Sequence, residues 1–165
     1  MTDRIWAPWR VEYVTNPDKG GCFLCEARDS DDDEQCGVVC RGKDVFIVQN
    51  RYPYTSGHLM IAPYRHAGEL GEMTPDEMNE IMALLRDSEA VLGEVMSPHG
   101  LNCGINLGRV AGAGLVGHLH MHIVPRWDGD TNFMALFADT TVISQGLAEQ
   151  HKLLAEAFAR KRAAS

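Results

Sequence analysis

The sequence predicts a single α+β domain in which two helices pack on a mainly antiparallel sheet of about five strands. Short apolar runs rich in β-branched residues are joined by short connections, a pattern that favours antiparallel pairing. Two longer segments with helical spacing lie in the middle and at the end of the chain. A chain of 165 residues with 45% hydrophobic content suits one domain over residues 1–165.

The first three strands are predicted before the central helix. Val38–Cys40 and Val45–Val48 are apolar and β-branched, and the turn at Gly42 between them indicates a hairpin. A connection broken by proline and glycine follows. His58–Ala62 is then predicted as the third strand, which ends at Pro63.

The central helix has a strong start signal. Thr74 can cap the helix, Pro75 suits its first position, and Glu77 completes a capping box. We expect the helix to run to about Val95 and to stop before Pro98. Its apolar residues follow at helical spacing and indicate core packing: Met78, Ile81, Met82, Leu85 and Leu92.

The second half of the chain supplies the remaining strands. Leu101–Leu107 and His118–Val124 are predicted as the fourth and fifth strands. The connection between them, Gly108–Gly117, is a glycine-rich loop. Together with the hairpin and the third strand, these segments give the expected five-stranded sheet.

The segments outside this sheet are expected to have simpler roles. Residues 144–162 are predicted as a last helix, and residues 1–21 as an N-terminal segment docked on the body of the domain. The acidic run at 29–34 is interpreted as a solvated loop. His99 and His151 match no pattern and are expected at the surface.

Charge and composition exclude several classes of partner. The formal net charge of -8 disfavours broad binding to nucleic acid or anionic lipid, which needs clustered Lys and Arg. The start of the chain lacks the apolar stretch of a secretory signal, and no segment is apolar enough to span a membrane. Five cysteines, an odd number, fit free thiols in a reducing compartment. We therefore expect a cytoplasmic protein.

The fifth predicted strand carries the most informative pattern. Three histidines alternate there with three apolar residues: His118, Leu119, His120, Met121, His122 and Ile123. Alternate residues of a strand share a face, so the apolar residues are expected to face the core and all three histidines to face one site. Neighbouring imidazoles titrate as a coupled set near neutral pH. Such a cluster either binds metal or handles protons and phosphate.

The glycine-rich loop before this strand suits a phosphate ligand. Gly108, Gly112, Gly114 and Gly117 allow the backbone to approach a ligand closely and to turn N–H groups toward an anion. Such a loop beside a histidine strand indicates attack by imidazole at phosphorus, because neutral imidazole is a good nucleophile at pH 7. No carboxylate cluster for magnesium lies near the motif, so the predicted chemistry requires no catalytic metal.

These motifs resemble the histidine-triad superfamily. Its signature is matched by the three alternating histidines followed by two apolar residues, and its nucleoside-binding segment by Asn50, Pro53 and Gly57-His58. The chain is similar to the branch of bacterial diadenosine tetraphosphate phosphorylases and hydrolases at further positions: Trp6, Trp9, Asn106–Arg109, Pro125–Trp127 and Asp130–Phe133. The resemblance implies a HIT-like fold, a homodimer and a nucleotide or dinucleoside polyphosphate as ligand.

The resemblance also implies roles for single residues. His120 would be the nucleophile, and His122 and His58 would contact the α-phosphate and support the transition state. Asn50 would bind the ribose. Asn106 would help to order the phosphate site.

Two places in the resemblance leave the ligand contacts open. Many family members carry Gln four residues before the first triad histidine and Ser or Thr after it, where this chain has Gly114 and Leu115. We therefore expect the backbone amides of Ala113 and Gly114, beside Gly112, to contact phosphate instead. Trp127 would contact a base or the partner subunit, and plain dimer packing is its alternative role.

A structural zinc site is expected as well. Cys22 and Cys25 have the spacing of a zinc knuckle, which needs two more ligands. The family suggests His66 and His118, which would complete a closed Cys₂His₂ site. A reduced, metal-free cysteine pair is the alternative.

The expected function is cleavage of a dinucleoside polyphosphate at its α-phosphate linkage. The reaction would pass through a covalent nucleotidyl intermediate on His120, which water or inorganic phosphate would resolve. Three alternatives stay open. The enzyme could act on adenosine phosphoramidates or other adenylate conjugates, the protein could bind nucleotides with slow turnover, or it could bind metal through all three triad histidines.

Overall fold

The computed structural model describes residues 21–130 and 146–164. The predicted docking segment at 1–21 therefore lies outside the described residues except for Gly21, and so do its two tryptophans, Trp6 and Trp9. Asn132 and Phe133, which support the resemblance, also lie outside them. The same holds for residues 144 and 145, where the last helix was expected to begin.

The described chain forms four α-helices and one five-stranded sheet. The helices are α1 (Phe23–Asp29), α2 (Asp33–Cys36), α3 (Pro75–Met96) and α4 (Leu147–Ala163); the strands are β1 (Val38–Arg41), β2 (Val45–Gln49), β3 (Leu59–Pro63), β4 (Gly100–Ile105) and β5 (Met121–Arg126). The strand order is β1-β2-β3-β5-β4, and every neighbouring pair is antiparallel. This arrangement confirms the predicted α+β class and the five strands.

Two short helices, α1 and α2, precede the sheet in addition to the two helices that the sequence predicted. The acidic run was expected to be a loop, but α2 begins inside it. The Asp32 carboxylate accepts the N–H of Gln35 and caps this helix, while Gly37 ends it in the left-handed region at φ 76°. A four-residue helix is too short to show a helical hydrophobic period, so local capping determines it.

The central helix α3 begins as predicted and braces the hairpin. Thr74 and Glu77 form the capping box, and Pro75 occupies the first turn. One turn further on, the Glu80 carboxylate accepts the N–H groups of three consecutive turn residues at 2.6 to 3.1 Å: Lys43, Asp44 and Val45. The turn between β1 and β2 is therefore fixed by a helix on one face of the sheet.

Both faces of the inner strands are covered. On one face α3 and α4 build the larger core, in which Ile61, Leu92 and Phe158 are almost fully buried. On the other face Leu24 and Ala27 of α1 pack against β1, β2 and β3. The second layer matters for function because it carries the first turn of α1, with its cysteines, onto the sheet.

The fifth strand begins three residues later than expected, at Met121 instead of His118. The backbone N–H of Leu119 donates to the carbonyl oxygen of Ala67 at 2.7 Å, so this segment bonds to the chain that follows β3. Regular pairing with β3 starts where Met121 lies opposite Ile61. Only the last triad histidine therefore lies in the ladder itself.

The position expected for His151 was wrong, because its side chain is buried in α4. Its Nε2–H donates to the carbonyl oxygen of Val38 at 2.9 Å and joins the C-terminal helix to β1. His99 is exposed, as expected.

Among the helices of the described residues, none is long and apolar enough to cross a membrane.

Candidate functional site

Three of the predicted site histidines form one connected set of rings. His58, at the start of β3, lies with its ring centroid 5.1 Å from that of His122 on β5. The centroid of His120 lies 4.8 Å from that of His122, edge to face. His118 was expected to face the same site, but its ring points to two cysteines, with Nδ1 3.1 Å from Sγ of Cys22. The alternating triad therefore supplies two sites.

The hydrogen bonds of His58 determine which nitrogen of each ring carries the proton. The backbone N–H of Tyr54 donates to Nδ1 of His58 at 3.1 Å, so the proton of the neutral ring lies on Nε2. Nε2 of His58 donates to Nδ1 of His122 at 2.9 Å. The neutral ring of His122 consequently carries its own proton on Nε2, which makes that nitrogen a donor for a ligand.

His120 carries its proton on the other ring nitrogen, Nδ1. Its Nδ1–H donates to the carbonyl oxygen of His118 at 2.9 Å, because a carbonyl can only accept. Nε2 of the neutral ring therefore keeps its lone pair. The residue as a whole is buried, with 6% of its surface exposed. The set thus presents one nucleophilic nitrogen beside one hydrogen-bond donor.

Burial keeps these rings neutral. Desolvation lowers the pKa of His58 to about 3, with smaller contributions from His122 and His120. Desolvation also lowers the pKa of His122 to about 4, and the His120 ring adds to the shift. The pKa of His120 is lowered by the same cause, although its bond to the His118 carbonyl opposes the change.

The connection before β3 holds both a predicted and an unpredicted site residue. Nδ2 of Asn50, the expected ribose ligand, lies 3.3 Å from Nδ1 of His58, and its Oδ1 accepts the N–H of Tyr52. Tyr54 was not predicted for the site, yet its ring lies 4.6 Å from that of His58 and 5.8 Å from that of His122. It is 48% exposed and forms an aromatic wall beside the histidines.

The glycine-rich loop folds into a 3₁₀ turn at Arg109–Ala111. Gly112 ends the turn with φ 89°, a conformation that favours glycine, and its carbonyl oxygen accepts Nδ2 of Asn106 at 3.4 Å. Asn106 therefore spans the loop, and its role in ordering a phosphate site stays a prediction. The N–H of Ala113 donates to the Gly108 carbonyl at 3.4 Å. The amides of Ala113 and Gly114 were both predicted to contact phosphate. That of Ala113 is bonded within the loop, and the contact of Gly114 with phosphate stays a prediction.

Trp127 follows β5 in a turn that is fixed by an ion pair. The Arg126 guanidinium donates to both oxygens of Asp130 at 2.5 and 2.9 Å, and the N–H of Trp127 donates to the same carboxylate. The indole is half-buried. Its predicted contact with a base or a partner subunit stays a prediction.

All four predicted metal ligands come together in a second cluster. Cys22, Cys25, His66 and His118 place one sulfur or nitrogen each within 4.8 Å of the others. Sγ of Cys25 lies 3.3 Å from Nδ1 of His66 and 3.6 Å from Nδ1 of His118. His120 and His122 do not belong to this group, so the described residues do not form a metal site from all three triad histidines.

The cluster fits a tetrahedral zinc ion. Sulfur and nitrogen ligands at normal zinc distances stand about 3.6 Å apart. Nε2–H of His118 donates to the carbonyl oxygen of Pro63 at 2.8 Å, which leaves the lone pair of Nδ1 directed at the sulfurs. Without a cation, burial raises the pKa of the Cys22 thiol, and a bound metal would reverse that preference. The donor set therefore suits a closed structural site.

An ion pair holds the segment that carries His66. Arg65 donates through Nε and Nη2 to the buried Glu77 carboxylate, at 2.8 Å each, and Nη2 also donates to the Glu72 carbonyl. Arg65 holds the pKa of Glu77 well below its usual range. Glu77 also caps α3. One carboxylate therefore joins the start of this helix to the segment that follows β3 and carries His66, a candidate metal ligand. Sequence reasoning assigned Glu77 only the capping role.

Comparison with known proteins agrees with this geometry. The family model described as the HIT domain matches residues 32–129, more than half of the chain. The chain is 40% identical over 166 aligned residues to an AP-4-A phosphorylase of Mycobacterium tuberculosis, an alignment that covers 96% of this chain and 85% of that relative. It is 35% identical to an asymmetrical bis(5'-nucleosyl)-tetraphosphatase of Schizosaccharomyces pombe over 49% of this chain and 44% of that relative.

A solved structure shares the fold. It is the crystal structure of a zinc-bound histidine triad family protein from Mycobacterium smegmatis, with a TM-score of 0.70 and 23% identity. The superposition covers 88% of this chain and 98% of that one. At this level of identity the likeness concerns the fold alone.

The neutral histidine pair generates a prediction about titration. We expect His58 and His122 to stay neutral down to about pH 5, whereas an unhindered histidine titrates near pH 6.5. Imidazole ¹⁵N shifts recorded from pH 8 to 4 should place the proton on Nε2 in both rings. Half-protonation of either ring near pH 6.5 would contradict the arrangement.

The lowered pKa values of His58 and His122 also determine the direction in which stability changes with pH. Both pKa values are lower in the folded chain, so between pH 6.5 and about 4 the unfolded chain binds protons that the folded chain excludes. The free energy of unfolding should therefore be highest above pH 6.5 and fall as the pH drops through this range. Urea unfolding at pH 7.5, 6.0 and 5.0 measures it, and equal values at the three pH values would refute the shifts.

Proposed function

The chain belongs to the HIT family, and on that premise we propose that it cleaves dinucleoside polyphosphates at the α-phosphate through a nucleotidyl intermediate on His120. One observation carries the proposal. The bond from Nδ1 of His120 to the His118 carbonyl leaves the lone pair on Nε2, beside a ring that presents an N–H. A nucleophile and a donor for the developing negative charge are what displacement at phosphorus requires.

The first step would transfer the nucleotide to the protein. Nε2 of His120 forms a bond to the α-phosphorus, and the bond from that phosphorus to the bridging oxygen of the polyphosphate breaks. Nε2–H of His122 donates to a nonbridging oxygen of the same phosphate as charge develops there. His58 keeps that proton in place, because its own Nε2–H occupies Nδ1 of His122.

The second step would release the nucleotide. An acceptor oxygen attacks the α-phosphorus, and the N–P bond to His120 breaks. With diadenosine tetraphosphate, inorganic phosphate as acceptor gives ADP and water gives AMP, with ATP as the leaving group in both cases. The similarity to a protein named AP-4-A phosphorylase covers nearly the whole chain, so phosphate is the first acceptor to test.

The substrate would be held by the residues around the rings. Asn50 would contact the ribose, and the loop ordered by Asn106 would bring the backbone at Gly112 and Gly114 to the phosphates. Tyr54 would border the phosphates on the side of His58 and His122. The cysteine–histidine cluster would take no part in these contacts.

We also propose that zinc occupies the cysteine–histidine cluster as a structural ion. Cys22, Cys25, His66 and His118 would all be ligands, with no open position for water. Bound there, zinc would join α1 to the segment that precedes His120 and supply folding free energy. The zinc-bound relative of the same fold supports this assignment.

A homodimer is proposed from the free edge of the sheet. In the described chain β4 pairs with β5 on one side only, and its residues are exposed or half-buried. Cys103 and its neighbours Leu101 and Ile105 share a face that α3 leaves partly uncovered. An edge strand with an apolar face readily pairs with a second copy.

Loss of the nucleophile should stop the reaction. We expect His120→Ala to lower turnover of diadenosine tetraphosphate by at least about 10⁴-fold, because no other ring offers a lone pair to phosphorus. The exposed His99→Ala variant is the control and should keep full activity. Acid quenching with labelled substrate should trap a nucleotidyl group on wild-type protein only.

The products identify the acceptor. ADP that appears only with added phosphate would indicate a phosphorylase, and AMP without phosphate a hydrolase. Turnover of phosphoramidates alone would favour the alternative substrate class. Nucleotide binding without trapped intermediate would favour a binding protein.

Metal content tests the zinc proposal. Purified protein should hold about one zinc per chain, and so should Cys103→Ser and His122→Ala. Cys22→Ser should lose zinc and melt at a lower temperature, because a ligand of a closed site is missing. Zinc retained by Cys22→Ser, or lost by His122→Ala, would place the metal elsewhere.

Sedimentation tests the dimer. The wild-type chain should sediment at about twice 18.2 kDa. Cys103→Lys places a charge on the proposed interface and should yield a folded monomer, whereas Cys103→Ser should remain a dimer. A monomeric wild-type chain at micromolar concentration would rule the interface out.

A further inference from the structure

The C-terminal helix α4 bonds to the loop before His58, although it lies beyond the part of the chain that the HIT domain matches. Gln150, on the first turn of this helix, is 1% exposed. Its Oε1 accepts the N–H of Gly57 at 2.9 Å and Nε2–H of Gln49 at 3.2 Å. One side-chain oxygen is therefore bonded to two separate points of the chain around β2 and β3.

These two points are the ends of a single loop. Gln49 is the last residue of β2, and Gly57 directly precedes His58. Between them lie Asn50, the proposed ribose ligand, and Tyr54, whose N–H fixes the proton of His58. The oxygen of Gln150 thus closes the loop that carries two functions of the site.

The backbone N–H of Gly57, at the end of this loop, has little freedom to reach another hydrogen-bond acceptor. Gly57 has φ 76°, and a Cβ at this position would overlap the sulfur of Met96. Its N–H is buried, so loss of its acceptor would leave an unsatisfied donor. Thr55 fixes the loop from the other side, since its hydroxyl donates to the Pro125 carbonyl at 2.8 Å.

The surroundings of Gln150 argue against a role in packing alone. Its buried neighbours on the same stripe of the helix, Leu154 and Phe158, are apolar. A buried amide is costly unless it is hydrogen-bonded, so an apolar residue would serve simple packing better. His151, the next residue, is also a buried polar anchor, but its ring bonds to the Val38 carbonyl of β1.

We propose that Gln150 is a positioning residue for the proposed phosphate chemistry: it closes the 49–57 loop, and through Tyr54 and His58 it keeps the donor of His122 directed at the substrate. The expected change in kcat rests on the proposed function. The expected change in the hydrogen bonds of His58 concerns the free protein and does not depend on that function. Without the oxygen of Gln150, the loop end at Gly57 would shift. The N–H of Tyr54 would then leave Nδ1 of His58, which would keep only the longer contact with Nδ2 of Asn50 at 3.3 Å. The proton of that ring would distribute between its two nitrogens.

The predicted defect lies in turnover more than in substrate binding. His122 acts on the charge that develops in the transition state, so its disorder lowers kcat. Asn50 keeps anchors of its own, since its N–H donates to the His58 carbonyl at 2.9 Å and its Oδ1 accepts from Tyr52. We expect Gln150→Met to lower kcat at least about tenfold and to change KM less than about threefold.

Two matched variants separate positioning from helix stability. His151→Leu removes the neighbouring anchor of the same helix and should lower the melting temperature while kcat per folded molecule stays within about twofold of wild type. Gln150→Glu keeps an oxygen acceptor in either protonation state and should restore most of the kcat that Gln150→Met loses. Equal kcat in Gln150→Met and wild type, or equal losses in Gln150→Met and His151→Leu, would overturn the proposal.

Spectroscopy of the free protein separates this inference from the proposed function. In wild type and Gln150→Glu, imidazole ¹⁵N shifts should show Nε2–H for His58 and His122; in Gln150→Met they should show mixed forms for His58. Unchanged shifts in folded Gln150→Met would overturn the inference even if the enzyme turns over. Should Gln150→Met not fold, amide exchange of Gly57 in wild type decides, because exchange as fast as in an unstructured peptide would refute the bond.

Discussion

The hydrogen bond from Nδ1 of His120 to the carbonyl oxygen of His118 is the contact on which the site depends. It determines that the lone pair of His120 lies on Nε2. The residue that supplies the carbonyl is itself held at both ring nitrogens, by the Pro63 carbonyl and by the sulfur of Cys22. The orientation of the His120 ring is therefore set by a residue that belongs to the cysteine–histidine cluster. The proposed metal site and the proposed nucleophile are therefore coupled through the backbone of a single residue, His118.

Two backbone groups of opposite polarity give the two rings their different chemistry. The series of hydrogen bonds that ends at His122 starts from a backbone donor, the N–H of Tyr54. His58 accepts this bond at Nδ1 and donates from Nε2 to His122, which in turn has its proton on Nε2. The series that ends at His120 starts from a backbone acceptor. Burial keeps all three rings neutral. In a neutral imidazole, the hydrogen bond at one nitrogen therefore determines whether the other nitrogen is a donor or an acceptor. A protonated ring would donate from both nitrogens and would erase the difference between nucleophile and donor.

Sequence patterns predicted those parts that local physics decides. The capping box of α3 and the β1–β2 hairpin were predicted because caps and turns depend on a few adjacent residues. The spacing of Cys22 and Cys25 indicated a pair of metal ligands, whereas His66 and His118 followed only from the family resemblance. The start of β5 was wrong because the segment at Leu119 bonds to Ala67, far away in sequence, instead of to β3. The alternation rule then placed His118 with its two neighbours, although tertiary contacts draw its ring to Cys22. The burial of His151 was missed for the same reason, since its acceptor lies on β1.

Gln150 illustrates what further signal a sequence can hold. A polar residue on the buried stripe of an amphipathic helix contradicts the hydrophobic pattern around it, and such a conflict indicates a specific hydrogen-bonding partner. The pattern alone does not name that partner, because Gly57 is far from it in the chain and offers only a backbone N–H. The partner follows once the fold brings α4 across the end of β2. In the proposed role of Gln150, a helix outside the part of the chain that the family model matches affects the geometry of a site whose histidines all lie within that part, because one buried side-chain oxygen closes the loop before His58.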